Sequence, residues 1–273
     1  MPTVVNQGWT IHYEEQGERG RPALLMTLGL SHRLAHWGTL VSQLAEVAHV
    51  ITWDCRGMGE SERRDEAYTI EDEVADMAAV LDAVGLRSAA VYGRSRGGML
   101  AQAFALAHPE RVSALILSGT SHRGPGSIGS TEAVNRAMEI RPDMSREQIF
   151  ATQNEAMAAP GWRERDPEAF NYLMSVDLEA PPRRFAVVRQ QESVASWSSF
   201  EHLGDIRCPT LVICGADDGM VPPENSRQIA AKIARARLEL IPQCGHLPML
   251  EKPGEVAELV WSSSGSTAVS AST

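Results

Sequence analysis

From Ser88 to His108 the chain reads SAAVY, then GRSRG, then GMLAQAFALAH. The first piece is an apolar run of strand length, and the last is an Ala-rich run of helical length that follows with no linker. A strand can turn straight into a helix only if the two backbones come very close at the corner, and Gly93, Gly97 and Gly98 remove the side chains that would prevent it. Four further runs, PALLM, HVITW, SALIL and TLVIC, share the near-continuous apolar character of SAAVY. Strands of this kind belong to a parallel sheet buried on both faces, because a strand with one wet face alternates apolar and polar residues instead.

The spacing predicts strands over Trp9–Glu15, Ala23–Thr27, Val50–Trp53, Ala89–Tyr92, Val112–Leu117, Thr210–Cys214 and Leu238–Ile241. Helical patterns lie between most of them. Over Thr69–Val84 apolar side chains recur at Ile70, Val74, Met77, Leu81 and Val84, one stripe of a helix. Trp37–Glu46, Gly97–Ala107, Asn225–Ala234 and Pro253–Trp261 are also predicted helical. This alternation indicates an α/β fold. It stops between residues 121 and 203, where apolar residues follow helical spacing broken by Pro142, Pro160, Pro167 and Pro181. The expected organisation is a core of residues 1–120 and 204–262, a helical insertion at 121–203, and a flexible Ser/Thr-rich tail at 263–273.

A formal net charge of −10 repels phosphate backbones and anionic lipid, so neither nucleic acid nor a membrane is an expected partner. No apolar run reaches the roughly 18 residues of a transmembrane helix, and the first residues lack the layout of a signal peptide, so a cytoplasmic protein is expected. Cys55, Cys208, Cys214 and Cys244 have neither zinc-site nor disulfide-scaffold spacing and are expected to be reduced and structural.

Gly93-Arg94-Ser95-Arg96-Gly97 matches G-x-S-x-G, a turn that presents a serine hydroxyl above the sheet edge. A serine needs a base, and the base an orienting acid, with chain order Ser, acid, His. His246, in Gly245-His246-Leu247-Pro248, follows a late strand at the edge of the sheet where open α/β sheets carry their sites. Asp217 and Asp218 end another buried strand. Spacing from Gly215 to Pro222 favours Asp218 as the inward carboxylate and leaves Asp217 to form the turn. His12, His49, His108 and His202 read as structural. His32, His36 and His122 flank the site as pocket lining or surface; the first two are spaced for a metal but lack a third ligand, so no metal or other cofactor is expected.

With these residues the chain resembles the α/β-hydrolase family, serine hydrolase branch, over essentially residues 1–262. Asp54-Cys55-Arg56-Gly57-Met58-Gly59-Glu60-Ser61 is similar to the family's D-x-R-G-x-G-x-S loop, which is structural, and Gly215-Ala216, Asp218, Pro222 and Gly245-His246 resemble its acid and histidine loops. The resemblance implies an eight-stranded, mostly parallel sheet with a helical cap inserted after the sixth strand. It also implies a Ser95, Asp218, His246 triad and an oxyanion hole made from the backbone N–H groups of Leu30 and Arg96. Leu28 stands where the family has His, which removes a side chain but no backbone donor. Arginines on both sides of Ser95 are unusual; Arg96 is expected to project toward the insertion, meeting either an anionic substrate or a carboxylate of that layer.

The implied activity is hydrolysis of a carboxylic ester or lactone, a small-molecule substrate, through an acyl-enzyme, with the small enol-lactonases and methylesterases as the most similar members. Carbon–carbon bond hydrolases of ring-fission products and cofactor-free perhydrolases share the triad. Dehalogenases and epoxide hydrolases need a carboxylate at position 95. A hydrolase-fold sensor with slow turnover is an alternative of another class.

Overall fold

A computed structural model describes residues 1–268. Eight strands form one sheet: β1 (Thr3–Asn6), β2 (Trp9–Gln16), β3 (Ala23–Thr27), β4 (His49–Trp53), β5 (Ala89–Arg94), β6 (Val112–Ser118), β7 (Thr210–Gly215) and β8 (Ala236–Ile241). Their spatial order is β1-β2-β4-β3-β5-β6-β7-β8. The β1/β2 and β2/β4 pairs are antiparallel and the rest parallel. β1 is absent from the strands predicted by spacing. It is a four-residue edge strand whose residues alternate between exposed and half-buried, so it carries no apolar run.

Successive side chains of a strand point to opposite faces, and here both faces are covered. Leu25, Ile51, Val91, Leu115 and Val212 pack with α2 (Ile70–Val84), α3 (Arg96–Ala107) and α9 (Pro223–Lys232). Leu24, Met26, Tyr92, Ile116 and Ile213 pack on the other side with α1 (Leu40–Ala45), α10 (Pro248–Glu251) and α11 (Pro253–Ala268). Two buried faces are why these strands read as unbroken apolar runs. The helix of α11 continues to Ala268, past Trp261 where it was expected to end and into the expected tail of 263–273, whose residues 269–273 lie outside the described residues.

Between β6 and β7 the chain forms α4 (Glu132–Met138), α5 (Arg146–Met157), α6 (Trp162–Arg165), α7 (Pro167–Glu179) and α8 (Arg184–Ser193). Trp162 and Phe170, at 3% and 1% exposure, contact each other edge to face and join the core cluster against α10, so these side chains bind the insertion to the core. Among the described residues no helix is long and apolar enough to cross a membrane.

Candidate active site

Ser95 sits between β5 and α3 with φ 55° and ψ −122°, a conformation a non-glycine residue rarely adopts. The corner holds because it is tightly bonded. Ser95 N donates to Ser118 O (2.8 Å), while Ser95 O accepts from Gly98 N (2.9 Å) and Thr120 Oγ1 (2.7 Å). A Cβ on Gly93 would lie 2.3 Å from Gly97 O, and one on Gly97 would lie 2.3 Å from Thr27 O. Both positions therefore need glycine for the helix to approach β5 and the end of β3.

The three residues singled out from sequence meet. Ser95 Oγ and His246 Nε2 are 3.0 Å apart, and His246 Nδ1 is 2.7 Å from Asp218 Oδ2. The other carboxylate oxygen of Asp218 accepts from Met220 N (2.9 Å) and Val221 N (2.8 Å), which fixes its rotamer. Asp217 is exposed, as expected of the turn residue. Burial is the largest influence on His246 and disfavours the imidazolium; Asp218 favours it and Arg94 opposes it, leaving the pKa below the ordinary histidine value. A neutral imidazole donating from Nδ1 to Asp218 leaves Nε2 free to accept the Ser95 proton.

Leu30 follows β3 and Arg96 opens α3, and neither backbone N–H donates to a protein acceptor among the described residues. The next donor, Ser31 N, is taken by Gln190 Oε1 of α8 (2.8 Å). The loop bearing Leu30 is held from below as well, since Asp54 Oδ1 accepts from Leu34 N (2.9 Å) while Asp54 Oδ2 binds His12 Nδ1 (3.0 Å). Asp54 is thus a loop anchor, in line with the structural role implied for its motif.

Arg96 does not meet a carboxylate of the insertion. Its guanidinium pairs with Glu73 of α2, and α8 supplies Gln190 O (2.8 Å) and Ser193 Oγ (2.7 Å). The apolar stripe predicted for α2 therefore also buries two carboxylates, Glu73 and Asp76, the second paired with Arg56 (2.6 Å). Removing one member of a buried pair strands the other, at a cost of about 3–5 kcal/mol. Arg96→Met is expected to lose about that much stability in urea unfolding, and a loss under about 1 kcal/mol would contradict the pairing. Combining Arg96→Met with Glu73→Leu should recover most of the loss.

Sequence reading left three contributors unassigned. Glu251 of α10 accepts backbone N–H groups from Gly245 (2.9 Å), Leu247 (3.1 Å) and Ala159 (2.8 Å), gripping the His246 loop from both sides. Gln190 holds Ser31, and Arg94 is buried next to Ser95. Only Arg94 carried a signal, its position in the elbow. The histidines expected as pocket lining or surface are buried instead: His32 binds Arg94, His36 Nε2 binds Asp177 Oδ1 of α7 (3.0 Å), and His122 binds Gln228 (2.8 Å). His32 and His36 stack at 4.2 Å. Among the described residues no three His, Cys, Asp or Glu side chains converge as a metal site would require.

The thiols of Cys55, Cys214 and Cys244 are buried and pushed well above their ordinary pKa by burial. A cavity of about 720 Å³ borders Ser31, Leu34, Asp54 and Arg183, but none of Ser95, Asp218 or His246 lines it. The hydrogen-bonded row is therefore not part of the lining of that cavity.

A family model described as alpha/beta hydrolase fold matches residues 22–253. The chain is similar to the 2-hydroxymuconate semialdehyde hydrolase of Pseudomonas sp. strain CF600, 32% identical over 235 residues that cover 83% of this chain and 80% of that protein. It is similar at 26% over 251 residues to 3-oxoadipate enol-lactonase 2 of Acinetobacter baylyi, covering 92% and 91%. Among solved structures, the enol-lactonase from Burkholderia xenovorans LB400 aligns with a TM-score of 0.82 at 25% identity, covering 96% of this chain and 98% of that one.

Proposed function

Since the chain belongs to the alpha/beta hydrolase fold family, we propose that it is a serine hydrolase that cleaves a carboxylic ester or lactone through an acyl-enzyme. The observation that carries this reading is the unbroken row from Ser95 Oγ through His246 to Asp218. Ser95 Oγ attacks the substrate carbonyl carbon while His246 Nε2 takes the hydroxyl proton. The carbonyl oxygen, now an oxyanion, receives hydrogen bonds from Leu30 N–H and Arg96 N–H, groups that gain most from the charge of the tetrahedral species. Collapse breaks the carbon–oxygen bond, and His246 returns its proton to the departing oxygen. Water then attacks the acyl group, giving its proton to His246, and Ser95 leaves with that proton restored. Asp218 holds His246 in the tautomer these transfers need and stabilises the transient imidazolium.

Similarity to an enol-lactonase over nine-tenths of both chains supports the ester or lactone reading. A second reading, hydrolysis of a carbon–carbon bond in a ring-fission diketone, draws on the 32% identity to the semialdehyde hydrolase. The four cysteines are free, which suits a reducing compartment, and we place the enzyme in the cytoplasm. A panel of p-nitrophenyl esters, methyl esters, γ- and δ-lactones and ring-fission diketones separates the readings. Turnover is expected on esters or lactones; turnover confined to the diketones would replace the first reading by the second.

A further inference from the structure

Arg94, the last residue of β5, is only 2% exposed, yet among the described residues no carboxylate lies within 4 Å of it. A buried cation without a paired anion is costly, so its hydrogen bonds have to hold it. Nη2 donates to the backbone oxygen of His246 (2.5 Å), and Nη1 donates to His32 Nδ1 (3.0 Å). Those acceptors sit on different loops. His246 brings the base to Ser95, while His32 stands two residues beyond Leu30 in the loop expected to supply an oxyanion donor. Burial, helped by His36 and Arg94, keeps His32 neutral, so its Nδ1 can accept. Arg94 and Ser95 also flank Gly29 of the Leu30 loop, because a Cβ on Gly29 would meet both Ser95 Cβ (2.9 Å) and Arg94 Nη1 (3.2 Å).

We propose that Arg94 is a positioning residue whose rigid guanidinium fork fixes the His246 loop and the Leu30 loop relative to each other and to Ser95, a role that rests on the acyl-transfer reading above. The planar fork suits this role because it presents two N–H directions at fixed separation, which a single ammonium cannot do. The fork also leaves a fixed positive charge beside His246. The other groups facing that imidazole are Asp218 from the loop after β7 and His32 from the loop after β3, with Glu251 of α10 on its flanking N–H groups. Of these, Asp218 favours the imidazolium and Arg94 disfavours it.

Position and charge are separable by experiment. Arg94→Lys keeps the charge and loses the fork; Arg94→Met loses both; His32→Phe cuts only the arm to the Leu30 loop. The His246 titration is followed by NMR of the full-length protein, kcat and KM by p-nitrophenyl ester hydrolysis across pH, and folding by thermal unfolding. A misplacement of about 1 Å costs on the order of 10²-fold in rate, so all three variants should lose kcat by roughly 10- to 100-fold with KM little changed. In Arg94→Met the His246 titration and the acid limb of kcat/KM move together to higher pH, because removing the cation relieves a penalty on the imidazolium. In Arg94→Lys and His32→Phe both stay near wild type. Arg94→Met with wild-type kcat and an unmoved titration overturns the proposal. Should Arg94→Met not fold, wild-type kcat in the other two variants overturns it equally. Failure of the wild type on every ester, lactone and diketone would refute the acyl-transfer reading instead, and the NMR titration of Arg94→Met would still report on the Arg94 contact alone.

Discussion

Ser95→Ala is expected to lower kcat on the preferred substrate by roughly 10⁴- to 10⁶-fold while leaving the fold intact. The substitution removes the hydroxyl that attacks the carbonyl in the proposed mechanism. It does not remove what holds the elbow, because the bonds to Ser118, Gly98 and Thr120 all use the backbone of residue 95. Alanine carries the same penalty at φ 55° as serine does, so the thermal midpoint should stay within a few degrees of wild type. Hydrolysis of the best panel substrate, with thermal unfolding of both proteins, checks both halves. Residual activity within tenfold of wild type would mean that another group performs the attack.

Asp218→Asn is the second large effect, a loss in kcat of about 10⁴-fold, and its cause is a tautomer. Asp218 Oδ2 accepts from His246 Nδ1, and its other oxygen accepts from Met220 N and Val221 N. Asparagine has only one oxygen, which stays with the two backbone donors. Its NH₂ group then faces Nδ1, which has to accept, and the ring proton moves to Nε2, where it blocks removal of the serine proton. Asp217→Asn, at an exposed position one residue earlier, should stay within about twofold of wild type, as surface changes generally do. Steady-state kinetics of the two variants side by side decide which aspartate serves the histidine, and the reverse ranking would exchange their roles.

The sheet was legible because its physical signature is local. A strand buried on both faces has to be apolar throughout, and Ala23–Thr27 has the same bounds in the sequence reading and in the fold. β1 left no such mark, since an edge strand with one wet face needs few apolar residues. Ser95, Asp218 and His246 were legible because each follows the end of a parallel strand at the same edge of the sheet, so topology brings their loops together. What could not be read were contacts between polar residues far apart in the chain. Glu73 was singled out by no pattern, because its partner Arg96 lies 23 positions later in the chain. Glu251 belongs to no motif, and its grip on Gly245 and Ala159 exists only once α10 is packed under the insertion. Arg94 was visible as an oddity, but its acceptors lie 62 residues before it and 152 after it.

The central claim is that Ser95 is a nucleophile activated by His246, and covalent trapping tests it without knowledge of the substrate. The wild-type protein is treated with a fluorophosphonate, which phosphonylates an activated serine and releases fluoride, and is then followed by intact mass and peptide mapping. The account predicts a single adduct, on Ser95, that is absent from Ser95→Ala and forms far more slowly in Asp218→Asn. An adduct on another residue, or none after prolonged exposure, would contradict it.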